Sequence, residues 1–174
     1  MKQIFQQRII ICCCLMVITI SCKKESNDPF PATEQVSNTP ANARAIPPFH
    51  IEVVLRGEGS NFGLIKFRQD NDPSKIIRLD TWVRGLAPNH SYILQRAVDT
   101  NLDGNCTGTN WLTLGKGLVP QSIMTDERGT GSEELWRDIS SVPSGSTFDI
   151  HFRVLDAVSM AVVLTSGCYE YVVR

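Results

Sequence analysis

From Phe49 onward the chain alternates apolar and polar side chains with a period of two. Phe49, Ile51, Val53 and Leu55 interleave with His50, Glu52, Val54 and Arg56, and Gly57-Glu58-Gly59 then supplies a turn. A strand sends successive side chains to opposite faces, so this pattern predicts a half-buried strand. Residues 62–67 form a second apolar run, ended by Asp70-Asn71-Asp72-Pro73. Ile77, Leu79, Thr81 and Val83 make a third, with Trp82 on the opposite face. Later runs are Tyr92-Leu94-Arg96-Val98, 111–114, 122–124, 134–136, Phe148-Ile150-Phe152-Val154, 161–164 and 169–173. Short runs between Gly, Asn, Asp and Pro turns read as strands. No segment holds a helical period over ten residues. Eight or so strands at this spacing predict an all-β sandwich over residues 48–174.

The start of the chain obeys other rules. Lys2 and Arg8 precede an apolar stretch over residues 9–20, which ends Thr19-Ile20-Ser21-Cys22. A basic start, a short apolar core and a small residue at the cut describe a secretory signal. The apolar core falls short of the ~20 residues that span a bilayer. Ser21-Cys22 resembles the lipobox of bacterial lipoproteins, although Thr19 stands where that family usually has Leu. The resemblance implies a signal peptide over 1–21 and lipidation of Cys22, which becomes the mature N-terminus. Several acyl chains hold a protein at a membrane where one holds it only marginally. Lys23-Lys24-Glu25 comes next, with no Asp directly after the cysteine. By the same resemblance that favours the outer membrane, with the periplasmic or cell-surface face left open. An ordinary secretory signal cut elsewhere is the alternative.

Residues 22–47 are rich in Ser, Asn, Pro, Ala and Thr and lack apolar periodicity. Such a segment cannot bury enough surface to offset its ordering entropy, and is expected to be a disordered tether. Residues 48–174 are enough for one domain. Seventeen Lys and Arg against eighteen Asp and Glu give a net charge of −1, with no basic block after Lys24. A nucleic-acid partner needs a basic stripe, so that class is set aside. With Cys12, Cys13 and Cys14 in the signal and Cys22 carrying lipid, Cys106 and Cys168 remain as an even pair. In an oxidising compartment such a pair is expected to be bonded. Two separate thiols are the alternative.

Two further resemblances bear on the fold. Gly85-Leu86-Ala87-Pro88-Asn89-His90-Ser91-Tyr92 resembles the tyrosine corner of fibronectin type III and other immunoglobulin-like sandwiches, carried by Leu86, Pro88 and Tyr92. There the Tyr hydroxyl bonds back to the backbone where the chain crosses between sheets. A plain turn before a strand tyrosine is the alternative. The Gly-Leu turn, a Gly-rich loop holding Cys106 and a late Cys168 also resemble the copper/zinc superoxide dismutase sandwich, whose two cysteines are bonded. That family's His-x-His pair is absent, with Ile93-Leu94-Gln95 in its place, so the metal chemistry is not implied. Together these imply a single antiparallel Greek-key β-sandwich, immunoglobulin-like, of about eight strands.

Asp99-Thr100-Asn101-Leu102-Asp103-Gly104-Asn105 fits the first half of a calcium loop, with Asp99, Asn101 and Asp103 as candidate ligands. Asn110 stands where a bidentate Glu is required, and no helices flank the loop, so it is not an EF-hand. A polar turn between strands, for which Asn, Asp and Gly are the expected residues, is the favoured alternative. His50, His90 and His151 have no ligand spacing for zinc or copper. Glu133, Glu134 and Asp138 are the acidic candidates for glycosidase chemistry, but Glu133 and Glu134 alternate in facing. Ser122, Ser132 and Ser140 lack a nucleophile elbow. The turns at Gly115-Lys116-Gly117 and Thr130-Gly131-Ser132 are not phosphate loops. Trp82, Trp111 and Trp136 sit in different strands. They serve core packing unless at least two are exposed together, as stacking on a sugar or a partner requires.

The expected function is therefore a non-catalytic lipoprotein, held to the membrane by its lipid, whose β-domain binds a protein or glycan or acts structurally at the cell envelope. A calcium-stabilised adhesion or carbohydrate-binding module is the alternative, and a hydrolase or metalloenzyme comes third.

Overall fold

The computed structural model describes residues 47–174, so Cys22, the signal and nearly all of the tether lie outside the described residues. The first two alternating runs form a hairpin, β1 (Phe49–Arg56) and β2 (Phe62–Gln69), paired from Phe49 opposite Gln69 to Arg56 opposite Phe62. β3 (Ile76–Arg84) continues the meander, and β9 (Gly131–Asp138) pairs with its far edge. On the other side β1 meets β11 (Val162–Ser166) through Leu55 and Arg56 alone. β11 and then β12 (Tyr169–Val172) share one edge of β10 (Thr147–Asp156). β4 (Ser91–Asp99) takes the other edge of β10, from Asp149 opposite Asp99 to Asp156 opposite Tyr92.

Between β4 and β9 the chain makes four short strands. β5 (Leu112–Thr113) and β8 (Ser122–Met124) pair with β4, while β6 (Gly115–Lys116) and β7 (Val119–Pro120) form a small hairpin. β6 runs parallel to β9, with Lys116 opposite Trp136. Just past β8, a single bridge between Thr125 and Gly131 links it to the start of β9. The sheet therefore runs β9–β3–β2–β1–β11–β10–β4–β8 and nearly returns to its own first strand.

The all-β, antiparallel expectation holds, and the strands are joined in one continuous, nearly closed barrel-like sheet. Continuity comes from β11, which pairs with β10 at Arg153, Val154 and Leu155 and with β1 at Leu55 and Arg56. The 111–124 segment also resolves into four short strands rather than two.

The inner faces supply the core. Val53, Leu55, Ile65, Phe67, Leu79, Val83, Leu94, Phe152 and Val154 are fully or almost fully buried. Phe67 stands at its centre, edge-on to Phe152 and Tyr171. Gln69 is buried among them, and its amide is satisfied. Its Oε1 accepts from the Tyr171 hydroxyl at 2.6 Å and the Arg174 amide at 2.9 Å, and its Nε2 donates to the Arg174 carbonyl at 3.2 Å. Such satisfaction offsets the desolvation of a buried polar group.

One end of the barrel is stitched by the turn before β4. The Ala87 amide donates to the Tyr92 hydroxyl at 2.9 Å, as a tyrosine corner requires. Thr125 Oγ1 donates to the Ala87 carbonyl at 2.6 Å and accepts from the His90 amide at 3.0 Å. Gly129 closes the β8–β9 turn at φ +71°, and a Cβ there would stand 2.0 Å from the Leu86 carbonyl oxygen. Only glycine allows that approach.

Candidate functional site

The outward face of β2, β3 and β9 forms a lattice of three rows. Register aligns Leu64, Trp82 and Ser132 in one row, Lys66, Asp80 and Glu134 in the next, and Arg68, Arg78 and Trp136 in the third. All of these point away from the core because Ile65, Phe67, Leu79, Val83 and Leu135 hold the inward positions of the same strands. The first two rows line an open groove of about 470 Å³, with Lys116 and Glu133 along its edge.

The charges in the groove are arranged by pairing. Two carboxylates directly opposite across a sheet repel, so Asp80 and Glu134 need cations nearby. Arg68 ion-pairs with Asp80, and Lys66 stands opposite Asp80 on the other side. Glu133 is half-buried and meets Lys116 Nζ at 2.7 Å. Alternation points Glu133 and Glu134 to opposite sides, yet both line the groove, because Glu133 meets Lys116 of the β6–β7 hairpin. Sequence spacing alone did not anticipate this.

Trp82, in the middle of the first row, and Trp136, at the end of the third, are about 14 Å apart from strand rise and spacing. Trp82 packs edge-on to Phe62 at 6.1 Å, with the Arg84 guanidinium 5.7 Å over its indole. Trp136 is 38% exposed, and its inner side rests on Gly117. Gly117 has φ +68°, and a Cβ there would come within 2.8 Å of the indole, so the hairpin lies flat against the ring. Trp82 was legible in the sequence, being out of phase with Ile77, Leu79, Thr81 and Val83. The position of Trp136 was not.

Trp111 has a different role. Residues 100–111 cross the outward face of β4 and β10. There Trp111 lies 4.6 Å from the His151 ring and beneath the Arg153 guanidinium at 4.0 Å. Arg153 Nε donates to Gln95 Oε1 at 2.9 Å, and Gln95 Nε2 donates to Thr113 Oγ1 at 3.0 Å. Cys106 and Cys168 form a disulfide, with Cα atoms 5.3 Å apart, that ties this strap to the β11–β12 turn.

The Asp99–Asn105 stretch lies at the start of the strap. Asp99 Oδ2 accepts from the amides of Thr107 and Gly108 at 2.7 and 2.9 Å. Asp103 accepts from Asn101 Nδ2 at 2.6 Å and from the Asn105 amide at 2.8 Å. Asp149, buried opposite Asp99, accepts from the Gly104 amide at 2.9 Å. Asp99 and Asp103 thus accept from donors of their own loop and Asn101 donates to Asp103, and no three acidic, His or Cys side chains converge among the described residues. Of the histidines, His90 pairs with Asp156 at 2.6 Å and His151 meets the Gly108 carbonyl at 3.1 Å, on separate faces. Backbone donors from Ser159 and Val158, and then His90, hold the Asp156 carboxyl down at about 2.

No family model matches this chain, and no curated protein is similar to it.

Proposed function

We propose that this chain is a non-catalytic lipoprotein of the bacterial outer membrane, anchored through Cys22, whose barrel binds a glycan on the outward face of β2, β3 and β9. The anchor rests on the Ser21-Cys22 signal, and the tyrosine corner of Leu86, Pro88 and Tyr92 is taken as the local device that immunoglobulin-like sandwiches use. One observation carries the binding half of the reading: the exposed Trp136 and the half-buried Trp82 face outward on one side, flanking Lys66, Asp80, Ser132 and Glu134. An indole offers a flat apolar surface to the C–H face of a sugar, while carboxylates and ammonium groups bond its hydroxyls. A spacing of about 14 Å suits an oligosaccharide better than a single ring.

The facing carboxylates of Asp80 and Glu134 favour a second reading, glycoside hydrolysis, which works with carboxyl groups about 5–9.5 Å apart. Affinity electrophoresis of the full chain through gels containing soluble polysaccharides tests the first. The expected result is retardation by at least one polysaccharide, weakened about tenfold in Trp82→Ala and in Trp136→Ala. Retardation unaffected by either substitution overturns the glycan reading. Reducing ends released from the retarding polysaccharide, and lost in Asp80→Asn, replace it with hydrolysis.

A further inference from the structure

Arg96 is on the inward side of its strand. Leu94 and Val98 flank it on that face, and its cross-strand partner is Phe152, 1% exposed. Arg137 also faces inward, opposite Ile77, on the strand across the seam. The two strands are bridged by the 111–124 segment, where the Leu114 amide donates to the Leu94 carbonyl at 2.9 Å and the Gly117 amide to the Trp136 carbonyl at 2.9 Å. Beyond that bridge, at the barrel end away from the tyrosine corner, a cavity of about 220 Å³ remains. Val98, Ile139, Phe148, Ile150 and Val173 make its walls, and Arg96 is its one charged lining residue.

Arg96 is half-buried, with its guanidinium not sealed from solvent, and a cation facing apolar walls on one side is complemented best by an anion. Among the described residues the ion pairs are Arg68–Asp80, His90–Asp156 and Lys116–Glu133, and neither Arg96 nor Arg137 takes part. Burial, and then the like charge of Arg137, lowers the pKa of Arg96, and a guanidinium nonetheless stays charged in proteins. Tyr171, also at the cavity, is no substitute. Its hydroxyl is donated to Gln69, and burial raises its pKa further above the ordinary tyrosine value. The complement of this cation is therefore an anion, and the rest of the cavity is complementary to hydrocarbon.

We infer that this cavity binds a short-chain carboxylate, with its head paired to the Arg96 guanidinium and its tail against Val98, Ile139, Phe148 and Ile150. A planar carboxylate matches the two-pronged guanidinium fork, and a single charged lining residue calls for a single negative charge. At ~30 Å³ for each water-sized group the cavity takes about seven heavy atoms, the size of a five- or six-carbon acid. This site is separate from the glycan face and stands whether or not that reading does.

Calorimetric titration of the full chain with hexanoate, hexanol and hexylammonium tests it. Hexanoate is expected to bind at least about tenfold more tightly than hexanol, with hexylammonium not binding. In Arg96→Met the hexanoate affinity falls about tenfold while hexanol binding persists, and Trp136→Ala changes neither. Equal affinity for hexanoate and hexanol in the unaltered protein overturns the proposal, as does an absence of hexanoate binding up to about 10 mM. The comparison of acid with alcohol decides the matter even if Arg96→Met fails to fold.

Discussion

The outward faces of β4–β10 and of β3–β9 each carry tryptophan among charged side chains, yet only the first is roofed. Over β4 and β10, Trp111 is enclosed by His151, Arg153 and a strap tied down by Cys106–Cys168. Over β3 and β9, Trp82 and Trp136 have neighbours beside and beneath them, and Trp136 leaves more than a third of its surface to solvent. The residue type is shared and the duty is not. Trp111 and Trp82 are both half-buried, and Trp136, on an open, charged lattice, is the one with most surface to offer a ligand. The strap's own polar groups serve folding as well: Asp99 and Asp103 accept from donors of their own loop and hold it together.

The comparison breaks most decisively at the disulfide. Replacing both Cys106 and Cys168 by Ala frees the strap and releases a loop of 62 residues in the unfolded chain. In the chain-entropy model that costs about 4 kcal/mol, with native strain and residual structure reducing it. Urea denaturation should register most of that loss, while polysaccharide retardation of the folded protein stays unchanged. If retardation fell in step with stability, the two faces would not be independent.

Next come the tryptophans themselves. Trp111→Ala removes an indole stacked against Arg153 and His151 and is expected to cost about 2 kcal/mol of stability, less than a fully buried ring, with no effect on retardation. Trp136→Ala should stay within about 0.5 kcal/mol of the parent and lose retardation instead. Denaturation midpoints and gel mobility measured on both variants give a two-by-two pattern, and a stability loss in Trp136→Ala as large as that in Trp111→Ala would erase the distinction.

A smaller effect is expected at Asp156, beside the tyrosine corner. Its folded pKa of about 2 lies below the ordinary 3.8, so the folded state binds this proton less readily than the unfolded chain does. Its contribution is therefore complete above pH 3.8 and is lost as the pH falls towards 2. Thermal melts of Asp156→Asn should lie below the parent at neutral pH and converge with it across that window; a gap that stays constant down to about pH 2 would contradict the assignment. The smallest effect is at the Asp99–Asn105 loop. Since its carboxylates already serve amide and side-chain donors, millimolar calcium or chelator should leave the melting temperature unchanged. An upward shift with calcium would mean that the loop reorganises to admit the ion.

Much of the fold was legible because period-two alternation is a local property. Nearly every run read from the sequence became a strand, and the inward positions Val53, Leu55, Leu79, Val83 and Phe152 came out buried. The turn closed by the Ala87–Tyr92 hydrogen bond was legible for the same reason, since Leu86, Pro88 and Tyr92 lie within seven residues of one another. The continuous sheet was not, because it depends on which strand edges meet across more than a hundred residues, as β1 and β11 do. Of the candidate site, Trp82 announced itself by its phase. The alignment of Asp80 with Glu134 and of Arg78 with Trp136 depends on the β3–β9 register, which joins segments some fifty residues apart.

Taken by itself, the sequence determined an all-β domain after a segment unlike it, an even pair of cysteines and the local turns, because propensity, periodicity and counting act over a few residues at a time. Only the tertiary structure decided that the sheet nearly closes, that Trp111 lies under a strap while Trp136 is left exposed, and that Arg96 faces an apolar cavity. Each of these depends on strand register and loop path, and register is set by long-range packing of side chains that no local pattern brings together.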